Sequence, residues 1–376
     1  MSQQSSDKKV FCGIAFVLLV LILAFTLGCT VIYHVFSNRI PDIVTEGIRQ
    51  QTVVEEVEPE PTGIVRVEGP EFIPTTIDFS FNGVGYSIAP KVDNDLYYGA
   101  FEMERELNND PSFSEEEFYQ DYYYRLTFDP EMDDAIEYVV LQLRLIRDEQ
   151  ELGVAGYAEL IIKYVQSIPY DFDRLEEHQA DLSPKGDPRL PVQTLVDGTA
   201  DCDEKVMLAA ALLSHEGYGT ALLVYKEEAH AVLGLKGEGP GYLESGYEFV
   251  ELTSPIYVSE KPEAIVGDVR LTSIPMILEF RSGSALYPQS AVDEIAFIIH
   301  ARDTALAAAE TKRAYIESTP MSQGQFDYEA SLYEACFIAH NSLRVTVNED
   351  GTPNYDTPFK DRIAALEWLA VNYWWQ

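Results

Sequence analysis

The sequence predicts an α+β fold, in which a buried helix packs against an antiparallel sheet, with an apolar anchor in front and a helical extension behind. Three observations carry this. A capped helix whose middle, "VMLAAALL" at 206–213, is apolar on every side must be enclosed by other elements. Directly after it, "TALLVYKE" (220–227), "AHAVLGLKG" (229–237) and "YEFVELTSP" (247–255) read as three strands. Apolar residues recur at helical spacing from Met132 to Arg147, from Tyr157 to Ile168, and again in three stretches after residue 286.

The bounds agree. The 376 residues suffice for one large domain or two ordinary ones, and 46% hydrophobic content belongs to a folded chain. A net charge of −37 repels nucleic acid and anionic lipid, so neither is an expected partner.

From Val10 to Phe36 there is no Asp, Glu, Lys or Arg, and the run exceeds the roughly 20 apolar residues that cross a bilayer. Lys8 and Lys9 precede it, whereas Arg39 and Arg49 beyond it are offset by Asp42 and Glu46. The sequence therefore predicts a cytoplasmic tail (1–9), a single transmembrane anchor (10–38) and an extracytoplasmic body at the cell membrane. "TLGC" at 26–29 resembles a lipoprotein box with Cys29 as the lipid-bearing residue, but apolar sequence continues past it, which favours an uncleaved anchor.

Residues 39–75, with proline and acid runs, predict an extended, solvated linker. Around Asn82-Gly83, "TIDFSFNGVGYSIAP" (76–90) alternates apolar and polar residues and predicts a hairpin. Residues 108–129 give no clear period, and 179–198, with three prolines, read as a surface loop.

Asp201 and Glu204 have the spacing of a capping box, which puts Cys202 in the first helical turn, where the helix dipole favours thiolate. The flanking acids Asp201, Asp203 and Glu204 oppose that effect unless they are turned to backbone N–H groups. If the second and third strands pair antiparallel, His230 and Glu251 face each other on one side of the sheet. Thiol, imidazole and carboxylate in that order form a nucleophile–base–orienter set: sulfur attacks a carbonyl, imidazole moves the proton, and carboxylate fixes the ring. A lone cysteine in an apolar helix is more often packing, and the two readings separate only on the wider pattern.

That pattern is specific. "YVQSIPYDFD" (164–173), "RLPVQTLVDGTADCDEKVMLAAALL" (189–213), "HAVLGL" (230–235) and "YEFVELTSP" together resemble the transglutaminase-like superfamily of papain-like cysteine enzymes, and more narrowly a membrane-anchored prokaryotic, largely archaeal, set within it. The resemblance runs over roughly residues 76–275 and places Cys202, His230 and Glu251 on the three catalytic positions. There are departures: Ala200 stands where the pattern has glycine, Gln193 where it has an acid, and "ELT" where it has E-T-T. The resemblance implies a transglutaminase-like domain at 76–285 and thiol-dependent acyl transfer or hydrolysis at a peptide or amide bond, on a protein or peptide of the cell envelope. It implies no cofactor and no metal. Tyr170, Gln193 and Asp201 are further candidates for the substrate or oxyanion region, and the Cys202 backbone N–H is the expected oxyanion donor. A degenerate binding or assembly module of the envelope is the alternative.

Residues 286–376 lie outside the resemblance and read as a helical region, either a small bundle on the core or a surface for a partner. Cys336 and His340 sit four apart on one of its helices and read as packing, and His215 reads as a complement to the dipole at its helix end.

Overall fold

A computed structural model of the protein describes residues 63–375, apart from 104–112, 173–187, 266, 268, 345, 348–352 and 355–359. The expected tail, anchor and first part of the linker lie outside these residues. Among the described residues, no helix is long and apolar enough to cross a membrane.

The last part of the linker is extended but docked rather than solvated. Ile64 is buried, and its N–H donates to Asp129 Oδ2 at 2.9 Å. Arg66 pairs with Asp93, Asp95 and Glu131, and Thr75 N–H donates to Val196 O at 3.0 Å. One buried apolar side chain and a series of hydrogen bonds and ion pairs hold this acidic segment down.

The expected hairpin follows: β1 (Ile77–Phe81) and β2 (Val84–Ile88) pair antiparallel, and the turn residues Asn82 and Gly83 have φ of 49° and 78°, as a type I′ turn demands. Helices α1 (Asn94–Glu102) and α2 (Glu115–Thr127) come next. α2 forms in the stretch without legible period. A Ser114–Glu117 capping box starts it, while tyrosines on several faces blur its amphipathic stripe. α3 (Asp133–Glu149) and α4 (Val154–Gln166) match the two helical spacings.

The expected surface loop at 179–198 needs correction in its last part. Residues 191–197 form a short helix, α5 (Pro191–Asp197), whose residues are buried except Asp197. Pro191 occupies its first turn, where the missing N–H costs no helical bond. Gly198 ends it at φ 68°, and a Cβ there would come within 2.4 Å of Thr75, so this turn requires glycine.

Helix α6 (Cys202–His215) is buried along its middle, with Val206, Met207, Leu208, Leu212 and Leu213 wholly enclosed. Truncating one of these leucines to alanine would cost about 2–5 kcal/mol. It packs on a four-stranded antiparallel sheet of β3 (Thr220–Tyr225), β4 (His230–Lys236), β5 (Tyr247–Val250) and β6 (Met276–Arg281), in the order β5-β4-β3-β6. Leu222, Leu233 and Leu235 face the α6 side, and Leu223, Val232 and Phe249 form a second cluster on the other side.

The C-terminal region contains the three expected helices, α7 (Gln289–Ser318), α8 (Gln323–Ser342) and α9 (Arg362–Asn372). Ala291, Ile295 and Ile298 of α7 and Ala365 and Leu369 of α9 belong to the same hydrophobic cluster as α6 and the sheet. Polar ties join them: Arg362 Nε and Tyr287 Oη both donate to Glu159 Oε1 on α4, at 2.6 and 2.5 Å. Trp375 is buried and donates to Ala301 O at 3.1 Å, while Trp374 stays half exposed.

Candidate active site

Cys202 is the first residue of α6, half-buried at the helix N-terminus. The capping box is formed. Asp201 accepts from Glu204 N–H at 3.3 Å, and Glu204 Oε2 accepts from Asp201 N–H at 3.0 Å. Asp203 Oδ1 also accepts from Glu204 N–H, at 3.0 Å, so all three flanking acids are turned to the backbone, as a helix start requires. Asp203 takes a hydrogen bond from Tyr123 Oη at 3.1 Å.

The loop before Cys202 is held by Arg189. Its guanidinium pairs with Asp171, with Asp197 at 3.3 Å and with Glu204 at 3.8 Å, and donates to Thr199 O at 2.8 Å. Glu204 is wholly buried and also accepts from Arg189 N–H at 2.7 Å. Three segments, at Asp171, at 197–199 and at Glu204, therefore converge on one cation, which fixes the approach to the thiol.

His230 opens β4, beside Ala231, whose backbone N–H favours the Cys202 thiolate. Its Nε2 lies 2.9 Å from Glu251 Oε2. Nδ1 makes no hydrogen bond among the described residues. Glu251 follows the last residue of β5 and is wholly buried. Its other oxygen, Oε1, accepts from both the N–H and the Oγ1 of Thr253, each at 2.7 Å. Burial by itself would raise this carboxyl, but His230 and Thr253 outweigh it and hold it below the usual carboxylate range. The "ELT" departure thus keeps the threonine that holds the acid.

The thiol itself is pushed well above its ordinary range by burial, then by Asp203 and Asp201. The Ala231 N–H works the other way. A free thiol therefore prevails here until a charged imidazole stands beside it.

Of the three further candidates, Tyr170 comes to the site. It bridges Ala200 of the nucleophile loop, and burial followed by the nearness of Cys202 pushes its phenol up. Asp201 serves as the helix cap. Gln193 is buried, and its Oε1 accepts from Leu190 N–H at 2.9 Å, so this oxygen caps its own helix rather than facing a cleft. The helix carrying it is the element that the prolines hid.

Sequence reasoning missed Arg189, Thr253, Gln166 and Lys205. Gln166 Nε2 donates to Glu251 O at 2.9 Å and to Ile256 O at 3.1 Å. Lys205 carried a readable signal: a cation leading directly into an all-apolar helix run has nowhere to go but inward. Cys336 and His340 are packing: Cys336 is buried, and His340 Nδ1 lies 3.1 Å from Arg302 O.

No protein-family model matches the chain, and no curated protein matches it in sequence. Among solved structures, the chain is similar to one described as "Crystal structure of a TGase", at 14% identity and a TM-score of 0.25, over 54% of this chain and 53% of that one. The chain thus spans about half the length of that structure.

Proposed function

We propose that the protein is a transglutaminase-like, thiol-dependent acyltransferase or amide hydrolase working through Cys202, His230 and Glu251. The observation that carries this reading is the 2.9 Å bond from His230 Nε2 to Glu251, which is wholly buried and doubly supported by Thr253. In this reading His230 Nδ1 takes the proton from the thiol, and the sulfur attacks the amide carbonyl. The Cys202 N–H receives the oxyanion. The imidazolium then protonates the leaving amine, and a thioester remains for water or a second amine to open. The substrate is a protein or peptide of the cell envelope, reached from a membrane anchor at 10–38 with the body outside the cell.

A second reading is favoured by the raised thiol: a catalytically silent transglutaminase-like module that binds or assembles envelope proteins. Alkylation of the full-length protein with iodoacetamide near neutral pH separates the two. Modification of Cys202 faster than a free cysteine, and slowed by His230→Ala, supports the enzyme. A rate no faster than a free cysteine and indifferent to His230 overturns it.

A further inference from the structure

Lys205 is 1% exposed, its amine enclosed in the core. Its Nζ lies 2.5 Å from Ile168 O, 3.1 Å from Leu252 O, 3.3 Å from Gln166 O and 3.4 Å from Val165 O. These acceptors come from three places that matter to the thiol site. Val165 and Gln166 end α4. Ile168 leads through Pro169 to Tyr170, and Leu252 directly follows Glu251. The lysine itself stands one turn after Cys202. An ammonium has three N–H donors, so the closer carbonyls engage it fully and the more distant ones share the third. The neutral amine has only two.

We propose that Lys205 is a positioning residue of the thiol site, its ammonium setting where Glu251 and Tyr170 stand relative to Cys202. The proposal rests on the triad reading above. Glu251 is the charge that bears on Lys205. The other ionised groups nearby are spent elsewhere: Glu204 on Arg189, Lys163 on Asp361 at 3.4 Å, and Glu159 on Arg362. Burial draws the ammonium down to about 7, with Glu251 opposing. The unfolded chain therefore binds more protons than the folded one between about 7 and 10.5, and stability rises with pH across that window. A change at the site there is not unfolding.

The test reads the His230 Nε2–H proton by NMR in full-length protein labelled at histidine nitrogens and lysine Cε carbons. In Lys205→Met this resonance is expected to shift or broaden while the protein unfolds cooperatively, and Cys202 alkylation to slow by about tenfold, equal to one pKa unit in the thiol. In the wild type it is expected to move in step with the Lys205 Cε titration. A folded Lys205→Met with an unchanged resonance overturns the proposal. So does an unfolded variant combined with a wild-type Lys205 that titrates silently or not at all, since the ammonium then serves the fold only. If Cys202 proves no more reactive than a free cysteine, the acyl-transfer reading fails while the His230 resonance still decides for or against Lys205.

Discussion

Thr253 grips one oxygen of Glu251 with two hydrogen bonds of 2.7 Å, while the other oxygen meets His230 at 2.9 Å. The acid is thereby fixed in rotation as well as in charge, and the ring it holds has one tautomeric choice. Thr253→Val removes the Oγ1 bond and keeps the N–H. Losing a hydrogen bond to a charged group costs about 1.5–3 kcal/mol, so Cys202 alkylation at neutral pH is expected to slow by roughly tenfold or more. Thr253→Ser is expected to restore it. Equal rates in all three proteins would refute the role given to Thr253.

The triad variants rank in a definite order. His230→Ala is expected to slow Cys202 alkylation most and Glu251→Gln less, because glutamine keeps the shape and loses the charge that stabilises imidazolium. Rate against pH is the measurement. Coincident profiles for wild type and both variants mean that the thiol is not coupled to either partner.

Acid should destabilise the fold through Glu251. Its folded pKa lies below the ordinary value of 4.5, so its contribution is present above that value and is lost as pH falls through the folded one. Denaturant midpoints measured between about pH 5 and 3 should fall more steeply in wild type than in Glu251→Gln. Parallel curves would contradict the sign of this shift.

Arg189→Met is expected to lower stability by about 3 kcal/mol, the scale for removing one partner of a buried ion pair, because Glu204 is left enclosed with its charge uncompensated. Urea unfolding checks this. Adding Glu204→Gln to Arg189→Met should recover part of the loss, since the stranded charge is gone.

Deleting residues 290–376 is expected to abolish cooperative unfolding. The deletion removes Ile295, Ile298 and Leu369 from the shared hydrophobic cluster, and it leaves Glu159 without Arg362. Thermal unfolding by circular dichroism reads it, and a sharp transition in the truncated protein would make the helical region a separate unit.

Periodicity and turn chemistry make most of the architecture legible in the sequence. Asn82-Gly83 marked its hairpin, Asp201 and Glu204 their helix start, and the three strands their order. Where the sequence was silent, two local signals competed. Three prolines around 184–191 masked α5, although Pro191 sits where proline is at home in a helix. Tyrosines on every side of α2 blurred its stripe. Cys202, His230 and Glu251, the residues of the proposed triad, were picked out by their order, spacing and flanking sequence. Gln166 and Arg189 were not, since they act through bonds to other elements, which no local pattern encodes, and Thr253, only two residues from Glu251, lies in the turn after the strand.

The docked segment ahead of β1 is fastened at successive points: Ile64 to Asp129, Arg66 to three acids, Val67 to Asp95, Pro70 to Asn94, and finally Thr75 to Val196 and Asp197. Only the last fastening touches the turn that leads into Cys202. A pull along the chain from its N-terminal side would load these points in sequence, as a zip loads its teeth. Along this segment, tension reaches the thiol loop only after every earlier tooth has opened, so the segment acts as a strain relief for the reactive end of α6.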